Sequence, residues 1–569
     1  MRRLRLAGRW PRPGIIAAFA AALLSASCAV PPPEGTPEGA VQTLPQGEAW
    51  DARMRALYHF TPQGSQLIPR AWFVALERAD AEGQRFAAPE NLRRYGLIYA
   101  ANDAGTGLNP DGLPIGFAVE NDGWLGMTCA ACHTNEVVTP RGARLRIEGA
   151  PAMFDPDRFG AELDAAVQAT ARDPARLARL AARTGEPVEA LRPRFAQYAA
   201  RSAELWRVQR PAVESGFARV DALGQIINAL SVIQLGEPAN HRPPSAPTSY
   251  PFLWTTPRQA WVQWVPIASS PISRNAGEVL GVFGSSELRG APEARYASTI
   301  RFRDIHAIET WLHELEAPRW PENLLGAIDA PRWREGRAIV QANCLGCHTL
   351  PPDWRMTEAG QAVGGQRFIR PGIVPIQRVG TDATYTASLT QRTIRTGPLA
   401  DVFGGRAEVP AVEFFAGVVG RVTARGLREQ NLTPEEMLAW NGYRFTPGEA
   451  GGPPTPWAAP REHLAAIKAG PLLGIWATGP FLHNGSVPTV YDLLSPPAER
   501  PAVFWTGGRD LDTERLGFRS EEAPGRFRFD TALAGNRNIG HAFPATPLTP
   551  AQRLAVIEYL KDPLRVTGP

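Results

Sequence analysis

The chain has 569 residues, with 60 Lys and Arg against 56 Asp and Glu, for a net charge of +4. Acids and bases are interspersed, which excludes the strong basic stripe of a nucleic-acid-binding surface. The length is more than one hydrophobic core supports, so at least two domains are expected. Gly (54) and Pro (55) make up about a fifth of the chain, below the range of disordered sequences and suited to a loop-rich globular protein.

In chain order, the first feature is a basic start (Arg2, Arg3, Arg5, Arg9) followed by an apolar run, Ile15 to Leu24, too short to anchor in a bilayer. Together they predict an export signal over residues 1–27. Ser25-Ala26-Ser27-Cys28 resembles the lipobox of bacterial lipoproteins, with Ser25 where that motif usually has Leu. Lipidation at Cys28 is expected, with plain cleavage near Ala29 as the alternative. Residues 28–50 then read as a Pro-, Gly- and Glu-rich tether. The predicted location is the periplasm or cell surface, as an outer-membrane lipoprotein whose only membrane contact is its lipid.

Helical spacing follows at Ala71 to Glu82, Phe159 to Arg183, Pro193 to Val208 and Ile305 to Glu316. Two more helices are predicted at Pro331 to Asn343 and Thr549 to Lys561, each with proline in its first turn. No convincing alternating strand is present.

Two five-residue stretches carry the chemistry: Cys129-Ala130-Ala131-Cys132-His133 and Cys344-Leu345-Gly346-Cys347-His348. Each is C-x-x-C-H, the attachment pattern of a c-type haem. The two thiols add to the porphyrin vinyl groups, and the adjacent histidine meets the iron as axial ligand. Shuffling 5 Cys and 9 His over this length gives about 0.0007 such motifs per chain, so two are not chance. A C-x-x-C redox pair needs no trailing histidine, and zinc needs further Cys or His nearby. Two covalently bound haem c groups are therefore expected, on Cys129, Cys132 and His133 and on Cys344, Cys347 and His348. The expected architecture is mainly α and loop-rich. It comprises an N-terminal haem domain (51–325) with a helical insertion and a C-terminal cytochrome c domain (326–569).

A second iron ligand is expected from a downstream loop. For the second haem, His541 in Asn538-Ile539-Gly540-His541-Ala542-Phe543 is the leading candidate, with His483, Met356 and Met437 as rivals. For the first haem only His241 is available mid-domain, flanked by Arg242-Pro243-Pro244, so an open position is expected there. A haem with two protein ligands passes electrons, whereas one with a free position binds oxygen or peroxide.

Gly474 to Leu494, reading Gly-Ile-Trp-Ala-Thr-Gly-Pro-Phe-Leu-His-Asn-Gly-Ser-Val-Pro-Thr-Val-Tyr-Asp-Leu-Leu, resembles a signature of the bacterial di-haem cytochrome c peroxidase superfamily. Phe60 to Ser65, Asn109 to Phe117, Arg146 to Pro151, Trp261 to Trp264 and Arg274 to Glu278 resemble its large branch, the di-haem rubber oxygenases. The resemblance implies a reactive first haem and an electron-transfer second haem with a histidine from near the chain end. Phe481 stands where a ligating tyrosine occurs in the maturation enzyme of the superfamily, which also favours histidine. A calcium ion, found between the haems of some members, is a further expectation without assigned ligands.

Tyr250 to Phe283 is the expected lining of the reactive side, with Trp254, Trp261, Trp264, Glu278 and Phe283. Glu278 is the candidate catalytic acid–base, the alternative being an ion pair with Arg274 one helical turn away. Trp320 and Trp333 are candidates for the space between the haems, or for packing. The leading functional expectation is a peroxidase-like oxidoreductase served by a periplasmic electron donor. The alternatives are a dioxygenase acting on a polyisoprene-like polymer and a plain electron carrier.

Overall fold

The computed structural model describes residues 41–359, 366–442 and 458–566, with the backbone of residues 445–446 and 455–456. The expected export signal and Cys28 lie outside the described residues. No helix among the described residues is long and apolar enough to cross a membrane.

The structure is mixed, about 40% helical and 13% strand, rather than mainly α. The strands escape sequence reading because they are short. Thr134–Val138 pairs antiparallel with Arg144–Glu148, which pairs in parallel with Gln42–Thr43. Trp124–Met127 lies between Ile68–Pro69 and Phe117–Val119. Gly372–Pro375 pairs with Ala466–Ala469, setting Lys468 opposite Ile373 and Ala469 opposite Gly372.

The helices follow the sequence pattern with shifted ends. The Ala- and Arg-rich stretch is two helices, Pro156–Arg172 and Pro174–Thr184. Asp155 and Asp173 cap them through side-chain acceptance of backbone N–H groups. The next helix is Val188–Gln209, so Pro193 lies inside it rather than at its start. Expected Ala71–Glu82 ends at Ala75, and expected Ile305–Glu316 is Phe302–Leu312. The last helix, Pro550–Lys561, is closed by a capping box in which Thr549 and Gln552 satisfy each other's backbone N–H. It packs along Ala330–Asn343 so closely that a Cβ on Gly336 would stand 1.9 Å from the Ala555 carbonyl oxygen.

Residues from Val41 onward form one compact unit. One core runs from Leu44 and Trp50 through Trp254 and Trp476 to Leu560, with Cys129 and Cys344 both against it. A second core gathers Phe73, Phe117 and Phe159 with the helices of residues 156–209. A third joins the Pro271–Gly281 helix to Ala411–Glu429, so chain from beyond the second motif backs the wall that carries Glu278. Burying an aliphatic or aromatic side chain of this kind contributes about 1.5–3 kcal/mol.

Candidate functional site

The two motifs are presented differently. At the second, the Ala330–Asn343 helix runs directly into Cys344. At the first, a strand precedes the motif: Trp124–Met127 leads to Thr128, whose side chain caps the tight turn Cys129–Ala131. The helix braced against this motif comes from far upstream. From Ala52–Phe60, the Tyr58 hydroxyl donates to the His133 carbonyl at 3.0 Å, and the His59 carbonyl accepts from the Thr128 hydroxyl at 3.0 Å. Beside it, His59 and Glu148 form a fully buried pair at 2.9 Å.

Both motif histidines are oriented alike. His133 Nδ1 donates to the Pro251 carbonyl and His348 Nδ1 to the Gly470 carbonyl, each at 2.8 Å. This fixes each ring and leaves Nε2 as the nitrogen available to ligate a metal. Burial holds both imidazoles below the ordinary histidine range, His133 at about 4, so the neutral, ligating form prevails at neutral pH.

Opposite His348 stands His541, ring centres 6.3 Å apart. Two imidazoles sharing one metal ion at about 2 Å each place their ring centres about 6 Å apart, so the gap fits an iron. His541 is set in place by its backbone. Its N–H donates to the Val379 carbonyl at 2.7 Å. Arg500, buried, donates to the carbonyls of Asn538 (2.6 Å), Gly540 (2.8 Å) and His541 (3.4 Å). Asp382 accepts from the N–H groups of Gly535 and Arg537. Gly540 has a φ of +74°, and a Cβ there would stand 2.3 Å from the Gly380 backbone. His541 itself has a φ of +50°, which the clamp around it sustains.

The first motif faces a cavity of about 740 Å³. Among the described residues that line it, His133 is the only histidine, and the only methionine is Met127, two positions before Cys129. His241 is not among them; it hydrogen-bonds the Val208 carbonyl. Of the residues expected to line this side, Trp264, Glu278 and Phe283 do so. Trp261 packs on His463 instead. Trp254 stacks on Phe252 at 4.9 Å and donates to the Leu473 carbonyl at 2.8 Å.

Trp254 thus links the segment that holds His133 to the segment that holds His348. A path runs from His133 through Pro251, Phe252 and Trp254 to Leu473 and Gly470, and so to His348. Trp320 packs on Trp476, and Trp333 on Tyr559. The remaining candidates serve elsewhere: Met356 bridges to Ile369, and Met437 packs on the third core. His483 is buried beside Tyr385, its ring held at about 4 by desolvation.

Glu278 sits on the Pro271–Gly281 helix, facing the cavity with Arg274 and Asn275. Its hydrogen-bond donor is Gln263 Nε2, at 2.5 Å. Arg274 is ion-paired not with Glu278 but with Glu309, through Nη2 and, at 3.0 Å, through Nε. Burial pushes the Glu278 carboxyl above the usual carboxylate range. Among the described residues there is no group of three Cys, His, Asp or Glu side chains placed to hold a metal ion, so the calcium expectation gains no ligands.

Residues 466–506, which include the Ala466–Ala469 strand and the His483 signature, match the family described as RoxA-like, cytochrome c-like. A RoxA-like cytochrome c domain is thus present near the C-terminus. The uncharacterised protein y4iJ of Sinorhizobium fredii is 32% identical over 577 aligned residues, spanning 90% of this chain and 92% of the relative. The chain belongs to the y4iJ family. A second uncharacterised protein of the same organism, y4iM, is 24% identical over 52% of this chain and 56% of its own length. The y4iJ match spans nearly the whole chain, whereas the cytochrome c match covers only the segment bearing Lys468, Gly470 and His483.

Proposed function

We propose that this y4iJ-family chain is an exported di-haem c-type oxidoreductase, peroxidase-like, that activates a small oxidant beside His133 and draws electrons through the His348 side. The observation that carries this reading is the contrast between His348, faced by His541, and His133, which faces a large cavity with no second histidine among the described residues that line it. A haem held there by Cys129, Cys132 and His133 would supply an iron able to activate peroxide or oxygen.

The chain's own residues do the rest. Cys129 and Cys132 hold the haem covalently, and the Pro251 carbonyl keeps His133 in its ligating tautomer. Gln263 donates to one Glu278 oxygen, leaving the other to take up and return a proton, with burial favouring the protonated form. A positioned proton donor of this kind contributes about 10²–10⁴-fold to rate. Phe252 and Trp254, stacked on each other with the Trp254 indole bonded to the Leu473 carbonyl, offer a route for electrons between the two segments that hold the imidazoles. Export, with Cys28 lipidated, belongs to the same reading, because bacterial haem attachment to this motif takes place outside the cytoplasm.

The RoxA-like match, with apolar wall residues such as Leu205, Trp206 and Ile226, favours a second reading: an oxygenase cleaving carbon–carbon double bonds of a polyisoprene-like substrate. One assay separates the two. Purified holoprotein is given either hydrogen peroxide with a reductant or polyisoprene latex in air without one. Reductant-dependent peroxide consumption supports the peroxidase. Oxygen-dependent release of carbonyl products from latex supports the oxygenase. Neither activity would refute both and leave an electron carrier.

A further inference from the structure

Lys468 and Lys561 are the only lysines of the chain, and every other strongly basic side chain is arginine. Lys561 pairs with Glu558 near the C-terminus. Lys468 lies on the Ala466–Ala469 strand and lines the first cavity, donating to Gln259 Oε1 at 3.1 Å. Among the described residues it forms no ion pair with a carboxylate.

Arg274 lines the same cavity and is buried. Its Nε and Nη2 are spent on Glu309 Oε1, which also accepts from Asn275 at 2.8 Å. Its Nη1 is buried and finds no partner among the described residues. The wall thus presents Arg274, paired through one edge with Glu309, and Lys468, bonded to the neutral Gln259 amide, with Arg274 Nη1 still to be satisfied. A buried cation without a counter-charge persists where an anion completes it. Val262, Ile308 and Leu312 line the same cavity, so the occupant that fits is an anion on an apolar body.

We propose that Arg274 and Lys468 form a carboxylate-binding corner in the cavity of the first motif. The carboxylate comes either from a propionate of the haem on Cys129 and Cys132 or from the head group of a carboxylic acid co-substrate. The proposal rests on the reading of this cavity as a haem site. Burial, reinforced by the Arg274 charge, pulls the Lys468 ammonium down to about 8, a strain that a bound carboxylate relieves.

The test uses purified holoprotein, and mass spectrometry of the Cys129–His133 peptide comes first. Absence of haem there refutes the haem reading itself, before any probe is added. With haem present, dodecanoate and dodecan-1-ol are titrated by calorimetry into wild type, K468M and K468R. The reduction potential of the first haem and its propionate infrared bands are recorded alongside.

If a co-substrate supplies the carboxylate, dodecanoate binds at least about tenfold more tightly than the alcohol. That preference disappears in K468M and survives in K468R, with the haem potential unchanged. If the propionate supplies it, the two probes bind alike, but K468M lowers the first-haem potential and shifts the propionate bands, and K468R keeps both near wild type. The proposal is overturned if K468M changes neither probe preference nor potential nor bands while its circular dichroism matches wild type. K468Q serves in the same design should K468M not fold.

Discussion

The two C-x-x-C-H motifs share five-residue chemistry and differ in what stands across from the histidine. The second is delivered by a helix, and its His348 looks at His541 across 6.3 Å. The first is delivered by a strand, and its His133 opens on about 740 Å³ of cavity with Glu278, Arg274 and Lys468 in the wall. The motifs are local, whereas what faces each histidine is set by chain from far away: residues 250–283 and 466–469 for the first site, and 379–382, 500 and 535–541 for the second.

The largest break in that contrast comes from the attachment residues. Replacing Cys129 and Cys132 together with alanine should remove the first haem and all oxidant turnover while the second remains. Mass spectrometry and a haem stain check this. Next in size is His541→Ala, which should convert the closed site into an open one. The expected outcome is a second haem that binds carbon monoxide and leaves the low-spin state, so that the two sites come to resemble each other.

Glu278→Gln should lower peroxide turnover by about 10²–10⁴-fold while both haems keep their resting spectra. The pH dependence has a definite sign. Burial raises the Glu278 pKa above the usual carboxylate range, so the donating, protonated form is lost as pH rises through that raised value. Turnover in wild type should fall on that alkaline limb, and the limb should be absent from the Gln variant. A limb shared by both proteins would assign the titration to another group.

The smallest effect is expected from Arg500→Met, which removes the donors holding the carbonyls of Asn538, Gly540 and His541. A loss of about 2 kcal/mol in stability is expected, with a partial high-spin contribution from the second haem. Unchanged spin state with lowered melting temperature would make Arg500 a packing residue only.

Much of this contrast was legible in the sequence because it is carried by local patterns. Both motifs, the two proline-started helices ending at Asn343 and Lys561, and the Gly540-His541 loop before the last helix are contiguous signals. The strand before Cys129 was not legible, since four residues of Trp124–Met127 carry too little alternation. Nor was the partner of Arg274: Glu278 sits one turn away, but Glu309, from another helix, takes the guanidinium. Trp254 was read as cavity lining because its neighbours are, yet its indole reaches Leu473, more than two hundred residues on. Lys468 left one trace, the near absence of lysine from the chain.

The most direct test of the central asymmetry is electron paramagnetic resonance of the oxidised holoprotein with and without cyanide. One high-spin haem that cyanide converts to low-spin is expected, beside one low-spin haem that cyanide leaves alone. Two low-spin haems, both indifferent to cyanide, would contradict it.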